Sequence, residues 1–237
     1  MSVRKVLVLG ILALLTAVTG CTKGTTPPSK LAPERPKLTI LMFDDSESSI
    51  KDFSGEYQRG IIHYANAMTV EQPTVRIGFF VNRPRYVIQA MKLTDPAQLW
   101  PMINAKFSTP QASSERGTWF APLFDSLSKA CDELAGYDVS VLIFSDGLPD
   151  DPEKGKIAVS AAVLASKPNL KALFIGPVND ADTSGPGMPT PDKEHRYARE
   201  NIHETYLAPL GNRLFDATSA DLFDALDKVI SLQKGDK

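Results

Sequence analysis

Two apolar runs, each leading to an aspartate, constrain the fold of this chain more than any other feature of its sequence. Residues 38–43 and 139–144 contain almost no polar side chains; Asp44 follows the first run directly, and Asp146 follows the second after one serine. Continuous apolar runs of this length are typical of parallel strands that helices cover on both faces. The sequence therefore predicts a sheet whose buried central strands end in acidic side chains.

The rest of the chain alternates between strand and helix patterns. Further strands are predicted at residues 75–81, 86–93, 170–175 and 213–217. Apolar residues that recur every three or four positions predict helices around residues 53–68, 96–107, 120–134, 152–165, 198–206 and 222–232. A turn at residues 82–85 makes a hairpin whose second strand lies at the sheet edge. The predicted architecture is α/β: a doubly wound, mostly parallel six-stranded sheet with one antiparallel edge strand and helices on both faces.

Several positions carry local expectations within this architecture. Asp150 and Asp151 precede a proline and are predicted to cap and open the helix that runs to Ala165. Residues 176–192 are rich in Gly, Pro and Asp, which indicates a surface loop near the strand ends. Cys131 lies on a helical apolar stripe and is predicted to be a buried small hydrophobe. Three aromatic residues are assigned to the core: Tyr57, Tyr64 and Phe120.

The N-terminus is typical of an export signal. Arg4 and Lys5 precede the apolar run 6–18, which is well short of the roughly 20 residues that span a bilayer. The run closes on Val-Thr-Gly-Cys21, which resembles the bacterial lipoprotein box and implies acylation of Cys21. Thr22 is compatible with an outer membrane location facing the periplasm if the organism is Gram-negative. The predicted organisation is a signal peptide (1–20), a lipidated cysteine with a flexible tether (21–37), one domain (38–232) and a short tail (233–237).

Composition and missing motifs exclude several classes of function. The chain has a formal net charge of -2 and contains no Lys/Arg run interleaved with aromatic residues. Nucleic acid is therefore not indicated as a partner. Its three histidines do not form a spaced zinc motif. Neither the Gly-x-Ser-x-Gly elbow of hydrolases nor a glycine-rich phosphate loop is present in the sequence.

Oxygen-bearing side chains cluster where the predicted central strands end. Ser46 and Ser48 follow Asp44 at steps of two, Asp146 ends the second run, and Thr118 opens the helix near residue 120. Ligands of doubly wound sheets bind outside the carboxyl ends of the strands, where the strand order reverses. Carboxylates and hydroxyls are hard donors that suit Mg²⁺, Mn²⁺ or Ca²⁺. The sequence predicts one divalent cation site there.

At these positions the sequence resembles the von Willebrand factor A-type domain and its metal-ion-dependent adhesion site. Residues 44–48 match the Asp-x-Ser-x-Ser motif, residues 117–118 match the glycine-threonine loop, and residues 146–147 match the strand-ending Asp-Gly. The resemblance covers roughly residues 37–232. It implies a non-enzymatic domain that binds a protein of the cell envelope. An acidic side chain of that partner would complete the coordination of Mg²⁺, or alternatively Mn²⁺ or Ca²⁺, while Asp146 would act largely through water.

One departure from the family pattern concerns the rim of this site. Glu47 stands where the family commonly has glycine, and Asp45, Asp150 and Asp151 are also expected near the mouth. Such a rim should repel an acidic ligand. Three explanations stay open: these carboxylates point away, the partner carries basic residues around its metal ligand, or Glu47 itself caps the metal at rest.

Two other functions remain as alternatives. A Mg²⁺-dependent phosphohydrolase would use Asp44 as its nucleophile, but the general acid that it needs two residues later is replaced by Ser46. The other alternative is a metal-free scaffold that binds through the loop at residues 176–192.

Overall fold

The computed structural model describes residues 34–107, 117–178 and 206–235, and at residues 47, 48, 51 and 52 it describes the backbone alone. The chain divides into two units, Met1–Glu34 and Arg35–Lys237, and every helix and strand given below lies in the second unit. The predicted lipidation site at Cys21, most of the predicted loop at 176–192 and nearly all of the predicted helix at 198–206 lie outside the described residues.

Six strands form one sheet in the order β3-β2-β1-β4-β5-β6. Their bounds are β1 Lys37–Asp44, β2 Thr74–Phe80, β3 Arg85–Lys92, β4 Asp138–Phe144, β5 Leu170–Gly176 and β6 Leu214–Asp216. Strand β3 pairs antiparallel with β2 at one edge, and every other pair of neighbours is parallel. The predicted six-stranded sheet with one antiparallel edge strand is therefore confirmed.

Five α-helices surround the sheet in the described part of the chain. They are α1 Glu47–Ala67, α2 Pro96–Phe107, α3 Phe120–Glu133, α4 Gly155–Ala165 and α5 Leu222–Lys234. A 3₁₀-helix at Ala208–Arg213, which the sequence patterns did not predict, precedes β6. Among the described helices, none combines the length and the apolarity that crossing a membrane requires.

Helices cover both faces of the sheet, as the packing of β1 shows. Its side chains alternate between the two faces, as in any strand. Ile40 and Met42 pack in a cluster with α3 and α4, whereas Leu41 and Phe43 pack in a second cluster with α1, α2 and α5. A strand buried on both faces must be apolar throughout, which explains the unbroken run that the sequence shows.

Helix α4 begins later than predicted, and the prediction that Asp150 and Asp151 cap it is wrong. No side chain caps its first residue. The Asp151 carboxylate instead accepts hydrogen bonds from the backbone N–H groups of Phe120 (2.8 Å) and Ala121 (2.9 Å), at the start of α3. The first N–H groups of a helix have no partner within the helix, so a carboxylate from a distant loop satisfies them as well as a local one.

The strand order reverses between β1 and β4. The next strand in sequence after β1 lies on one side of it, and β4 lies on the other. Register pairs Asp44 with Phe80 and Phe43 with Phe144, so the residues that follow β4 begin level with Asp44. This reversal at the carboxyl ends of the strands is the usual position of a ligand site in doubly wound sheets.

Candidate metal centre

Asp44 is the centre of a polar cluster at this reversal point. The residue is fully buried. Its Oδ1 accepts a hydrogen bond from the Ser46 backbone N–H (3.0 Å), and its Oδ2 accepts one from the Ser145 hydroxyl (2.7 Å). The Thr118 hydroxyl lies 3.2 Å from Oδ1 and 3.1 Å from Oδ2. These donors are all neutral, so they orient the carboxylate without cancelling its charge.

Burial raises the pKa of Asp44, and the hydrogen bonds from Ser145 and Ser46 oppose that rise in part. The raised pKa indicates that the loss of hydration destabilises the ionised carboxylate more than its neutral hydrogen-bond donors stabilise it. A cation beside Asp44 would reverse this balance, because an opposite charge at close range favours the ionised form.

Thr118 is held against Asp44 by two loops. The Asp150 carboxylate accepts the Thr118 backbone N–H at 3.0 Å, and the Asp150 backbone N–H donates to the Thr118 carbonyl at 2.8 Å. The Trp119 N–H donates to the Val81 carbonyl, at the end of β2, at 2.8 Å. Gly117 makes the approach possible: its φ is +112°, and a Cβ there would lie 2.9 Å from the Asp150 Cβ.

Asp146 sits at the neighbouring strand end and is also buried. Its Oδ1 accepts the Leu148 backbone N–H at 3.0 Å, which closes a tight turn with Gly147 at φ +77°. The Asp146 backbone N–H lies 3.5 Å from the Ser49 hydroxyl, and the Ser145 hydroxyl accepts the Gly147 N–H at 3.1 Å. The carboxylate of Asp146 is thus held by its own turn, and the Asp146 backbone lies against helix α1.

Ser46 serves as the N-cap of α1, and its hydroxyl accepts the Ser49 backbone N–H at 3.4 Å. Of the five residues predicted to bind the metal, the structure brings the side chains of Asp44 and Thr118 into direct contact. It places Ser46 and Asp146 at the adjoining strand ends. The side chain of Ser48 lies outside the described residues.

An aromatic layer forms the floor beneath these polar groups. Phe43 and Phe144 stack with ring centroids 5.0 Å apart, and Tyr57 packs edge-on against Phe144 at 5.8 Å. Tyr57 is fully buried. Burial raises the pKa of Tyr57 well above its usual value, and the nearby charges of Asp44 and Asp146 raise it further. Tyr57 therefore lies within electrostatic range of the polar cluster.

Three residues of this cluster were missed from sequence: Ser49, Tyr57 and Ser145. For Ser145 a signal did exist, because its hydroxyl lies between a buried apolar run and an Asp-Gly turn. Tyr57 was correctly placed in the core, but its apolar helical spacing contained nothing that pointed to a polar neighbour.

Two of the predicted rim carboxylates are engaged in internal contacts. The Arg85 guanidinium lies 2.8 Å from the Asp45 carboxylate, whose side chain is only 5% exposed, and it also packs over the Phe79 ring. Asp151 is buried and bonded to the start of α3. Asp150 remains exposed although one of its oxygens accepts the Thr118 N–H. The structure thus turns Asp45 and Asp151 away from the mouth.

The donor set fits a hard divalent cation. Across the described residues, no three Asp, Glu, His or Cys side chains converge on one point. The candidate centre depends instead on two buried carboxylates, Asp44 and Asp146, and on hydroxyls such as that of Thr118, which contacts Asp44. Carboxylate and hydroxyl oxygens suit Mg²⁺, Mn²⁺ or Ca²⁺.

No protein-family model matches the chain, and no curated protein sequence matches it. Solved structures do match. A von Willebrand factor type A protein from Catenulispora acidiphila aligns with a TM-score of 0.51 at 11% identity, over 85% of this chain and 43% of that one. The fold is that of a von Willebrand factor A-type domain. At this identity the likeness establishes the fold alone.

Other solved structures share this von Willebrand factor A-type fold with the chain. An aerotolerance-related membrane protein from Bacteroides fragilis aligns with a TM-score of 0.59 at 14% identity, over 83% of this chain and 99% of that one. The pilus adhesin SpaC from Lactobacillus rhamnosus GG aligns with a TM-score of 0.59 at 14% identity, over 85% of this chain but 30% of the adhesin. The fold therefore occurs both as nearly a whole solved chain and as one part of a larger one.

Proposed function

We propose that this domain binds a protein partner at the bacterial cell envelope through one divalent cation, Mg²⁺ or alternatively Mn²⁺ or Ca²⁺. The cation would be held by Asp44, Ser46, Ser48, Thr118 and Asp146. The observation that carries the proposal is the buried Asp44 carboxylate, oriented by neutral donors at the point where the strand order reverses. Neutral hydrogen-bond donors leave the negative charge of a buried carboxylate uncompensated, so a bound cation would stabilise its ionised form.

The roles of the residues follow from charge. Asp44 and Asp146 together balance a divalent cation, and the hydroxyls of Ser46, Ser48 and Thr118 add donors without adding charge. Because Asp146 would act largely through water, the cation would keep enough positive charge at its open position to accept an acidic side chain from the partner. Thr118 and Ser145 hold the Asp44 carboxylate in place, so little reorganisation would be needed when the cation binds.

Anchoring belongs to the same proposal. A lipidated Cys21 and the tether to residue 37 would keep the domain at the membrane surface, facing the periplasm if the outer membrane is the destination. The structural likeness to a membrane protein and to a pilus adhesin supports an interaction role at the envelope. Ser46 supports the non-enzymatic role, because its side chain cannot supply the general acid that a phosphohydrolase would need two residues after Asp44.

Thermal unfolding with each cation, compared with unfolding in chelator, tests the proposal. At a hundredfold excess over the dissociation constant the cation should add about 2.7 kcal/mol to the unfolding free energy. For a domain of this size that is a rise in Tm of roughly 5 to 10 °C. Asp44→Asn removes the charge but keeps the shape, so it should abolish the rise.

Asp132→Asn is the matched control. Asp132 is an exposed partner of Lys167 near the far end of α3, and its loss should leave the rise in Tm intact. If millimolar Mg²⁺, Mn²⁺ and Ca²⁺ all leave the Tm unchanged, the metal-free scaffold becomes the better account. Turnover of a generic phosphoester that disappears in Asp44→Asn would favour the phosphohydrolase instead.

A further inference from the structure

A groove opens between α3 and α4, directly beside the candidate metal centre. Its volume is about 510 Å³, within the usual range for ligand sites. Trp119, Pro122 and Val159 supply apolar parts of its lining. Val159 is 65% exposed, an unusual position for a large aliphatic side chain on a helix whose other face packs into the core.

Two pairs of residues that are adjacent in sequence connect the groove to the candidate metal centre. Trp119 lines the groove and Thr118, the preceding residue, contacts Asp44. Likewise Asp151 lines the groove, and the preceding Asp150 accepts the Thr118 backbone N–H. Adjacent Cα atoms lie about 3.8 Å apart, so a short extended segment over the centre would reach the groove within a few residues.

The charges of the groove are unbalanced. Three carboxylates and one ammonium group line it: Asp125, Asp151, Glu153 and Lys156. The Lys156 ammonium lies 2.8 Å from the Glu153 carboxylate, so these two charges largely cancel. Asp151 is bonded to the N-terminus of α3, whereas Asp125 is exposed within the groove, and Asp150, the residue before Asp151, is also exposed. The surface beside the centre therefore favours a cation on the partner.

We propose that this groove receives a partner segment that places an apolar side chain against Trp119 and Val159 and a basic side chain near Asp125. The inference rests on the proposed function, in which an acidic residue of the same segment meets the metal. Of the three explanations for the acidic rim, it builds on the one in which the partner carries basic residues. Asp45 is neutralised by Arg85 and Asp151 is bonded internally, and the charge that remains is met by basic residues of the partner.

Synthetic fluorescein-labelled peptides test the inference on the full-length protein in mild detergent. Each peptide has one glutamate followed, after one to four glycines, by a pair of test residues: Phe-Arg, Ala-Arg, Phe-Glu or Ala-Gln. Binding is measured by fluorescence anisotropy in Mg²⁺ and in chelator. At one spacing or more, the Phe-Arg peptide should bind about tenfold more tightly than the Ala-Gln peptide, because burial of one aromatic side chain is worth at least this ratio.

Variants on the exposed face of α4 test whether the peptides bind in the groove or on the neighbouring surface. Val159→Glu should remove the Phe preference. Val163→Glu is the matched control, because Val163 is 46% exposed one turn later and does not line the groove. Asp125→Lys should reverse the preference for Arg over Glu. In a Trp100→Phe background, which leaves Trp119 as the single tryptophan, the Phe-Arg peptide should shift the tryptophan emission and the Ala-Gln peptide should not.

The outcomes distinguish this inference from the proposed function. Metal-dependent binding of every glutamate peptide, with no effect of the flanking residues, overturns the groove and leaves the metal site standing. A flank preference that persists in chelator and in Asp44→Asn supports the groove and overturns the metal-dependent function. If no peptide binds at millimolar concentration, the groove is overturned.

Discussion

The hydrogen bonds of Asp44 illustrate what single residues contribute at this site. A carboxylate removed from water costs several kcal/mol unless other groups compensate for its lost hydration. Ser145 gives the shortest of these hydrogen bonds, at 2.7 Å, and its oxygen also accepts the Gly147 backbone N–H. One hydroxyl therefore supports both the carboxylate and the turn that carries Asp146.

Ser145→Ala should lower the unfolding free energy by about 1.5–3 kcal/mol, because it removes a bond to a buried charge and leaves the Gly147 N–H without its acceptor. Urea denaturation in chelator measures the change without any contribution from metal. Ser166→Ala is the control: the Ser166 hydroxyl is exposed and bonds only locally, to the Val163 carbonyl. Equal effects of the two substitutions would contradict the role given to Ser145.

At the scale of the element, α1 connects the metal centre to the core. The helix begins immediately after its N-cap Ser46, and its apolar face packs against the sheet. It contains two glycines in different surroundings. A Cβ at Gly55 would meet nothing within 4 Å, whereas a Cβ at Gly60 would lie 2.9 Å from Cε1 of Phe144. The absence of a side chain at Gly60 therefore lets the helix approach the aromatic floor of the site.

Alanine at these two glycines should change stability in opposite directions. Gly55→Ala should stabilise the protein by about 0.5–1 kcal/mol, because alanine costs less backbone entropy in a helix. Gly60→Ala should destabilise it by about 1–3 kcal/mol, because the Phe144 ring is stacked on Phe43 and has little room to move. Calorimetric unfolding of the two variants measures both values. A stabilising Gly60→Ala would show that the helix can move away from the sheet.

On the scale of the whole molecule, the sheet and its two helical layers enclose side chains that only unfolding exposes. Cys131, on α3, is the free cysteine among the described residues, and it is 1% exposed within the cluster that α3 and α4 form on one face. The predicted buried position of this thiol is confirmed. Burial raises its pKa to about 12, so at pH 8 only about one molecule in 10⁴ carries the reactive thiolate.

Iodoacetamide should therefore label Cys131 only when the domain unfolds. In a Cys21→Ser background, labelling at pH 8 should be negligible in buffer and should rise along the urea unfolding curve, since an unfolded cysteine has a pKa near about 8.5. Mass spectrometry of the intact chain measures the labelled fraction. Rapid labelling without denaturant would show that α3 opens locally, and would contradict a single cooperative core.

How much the sequence predicted depended on how local each signal was. The continuous apolar runs that form β1 and β4 predicted buried parallel strands. A strand covered on both faces has no solvent-facing positions, so polar residues do not alternate with apolar ones along it. The hairpin of β2 and β3 followed from a turn between two short β-rich segments. The capping role of Asp151 did not follow, because its partners are backbone groups of another helix, and no local pattern encodes them.

By itself, the sequence determined the six strands and the five α-helices given above, the antiparallel edge and the set of oxygen-bearing residues expected at the strand ends. These depend on periodicity and on motif order, which are properties of the chain read in one dimension. Tertiary structure alone decided that the Ser145 hydroxyl bonds to Asp44, that Arg85 pairs with Asp45, and that a groove lined by apolar and acidic residues opens beside Trp119. Such contacts arise between residues far apart in sequence, so they exist only once the sheet has set its register and the helices have packed on it.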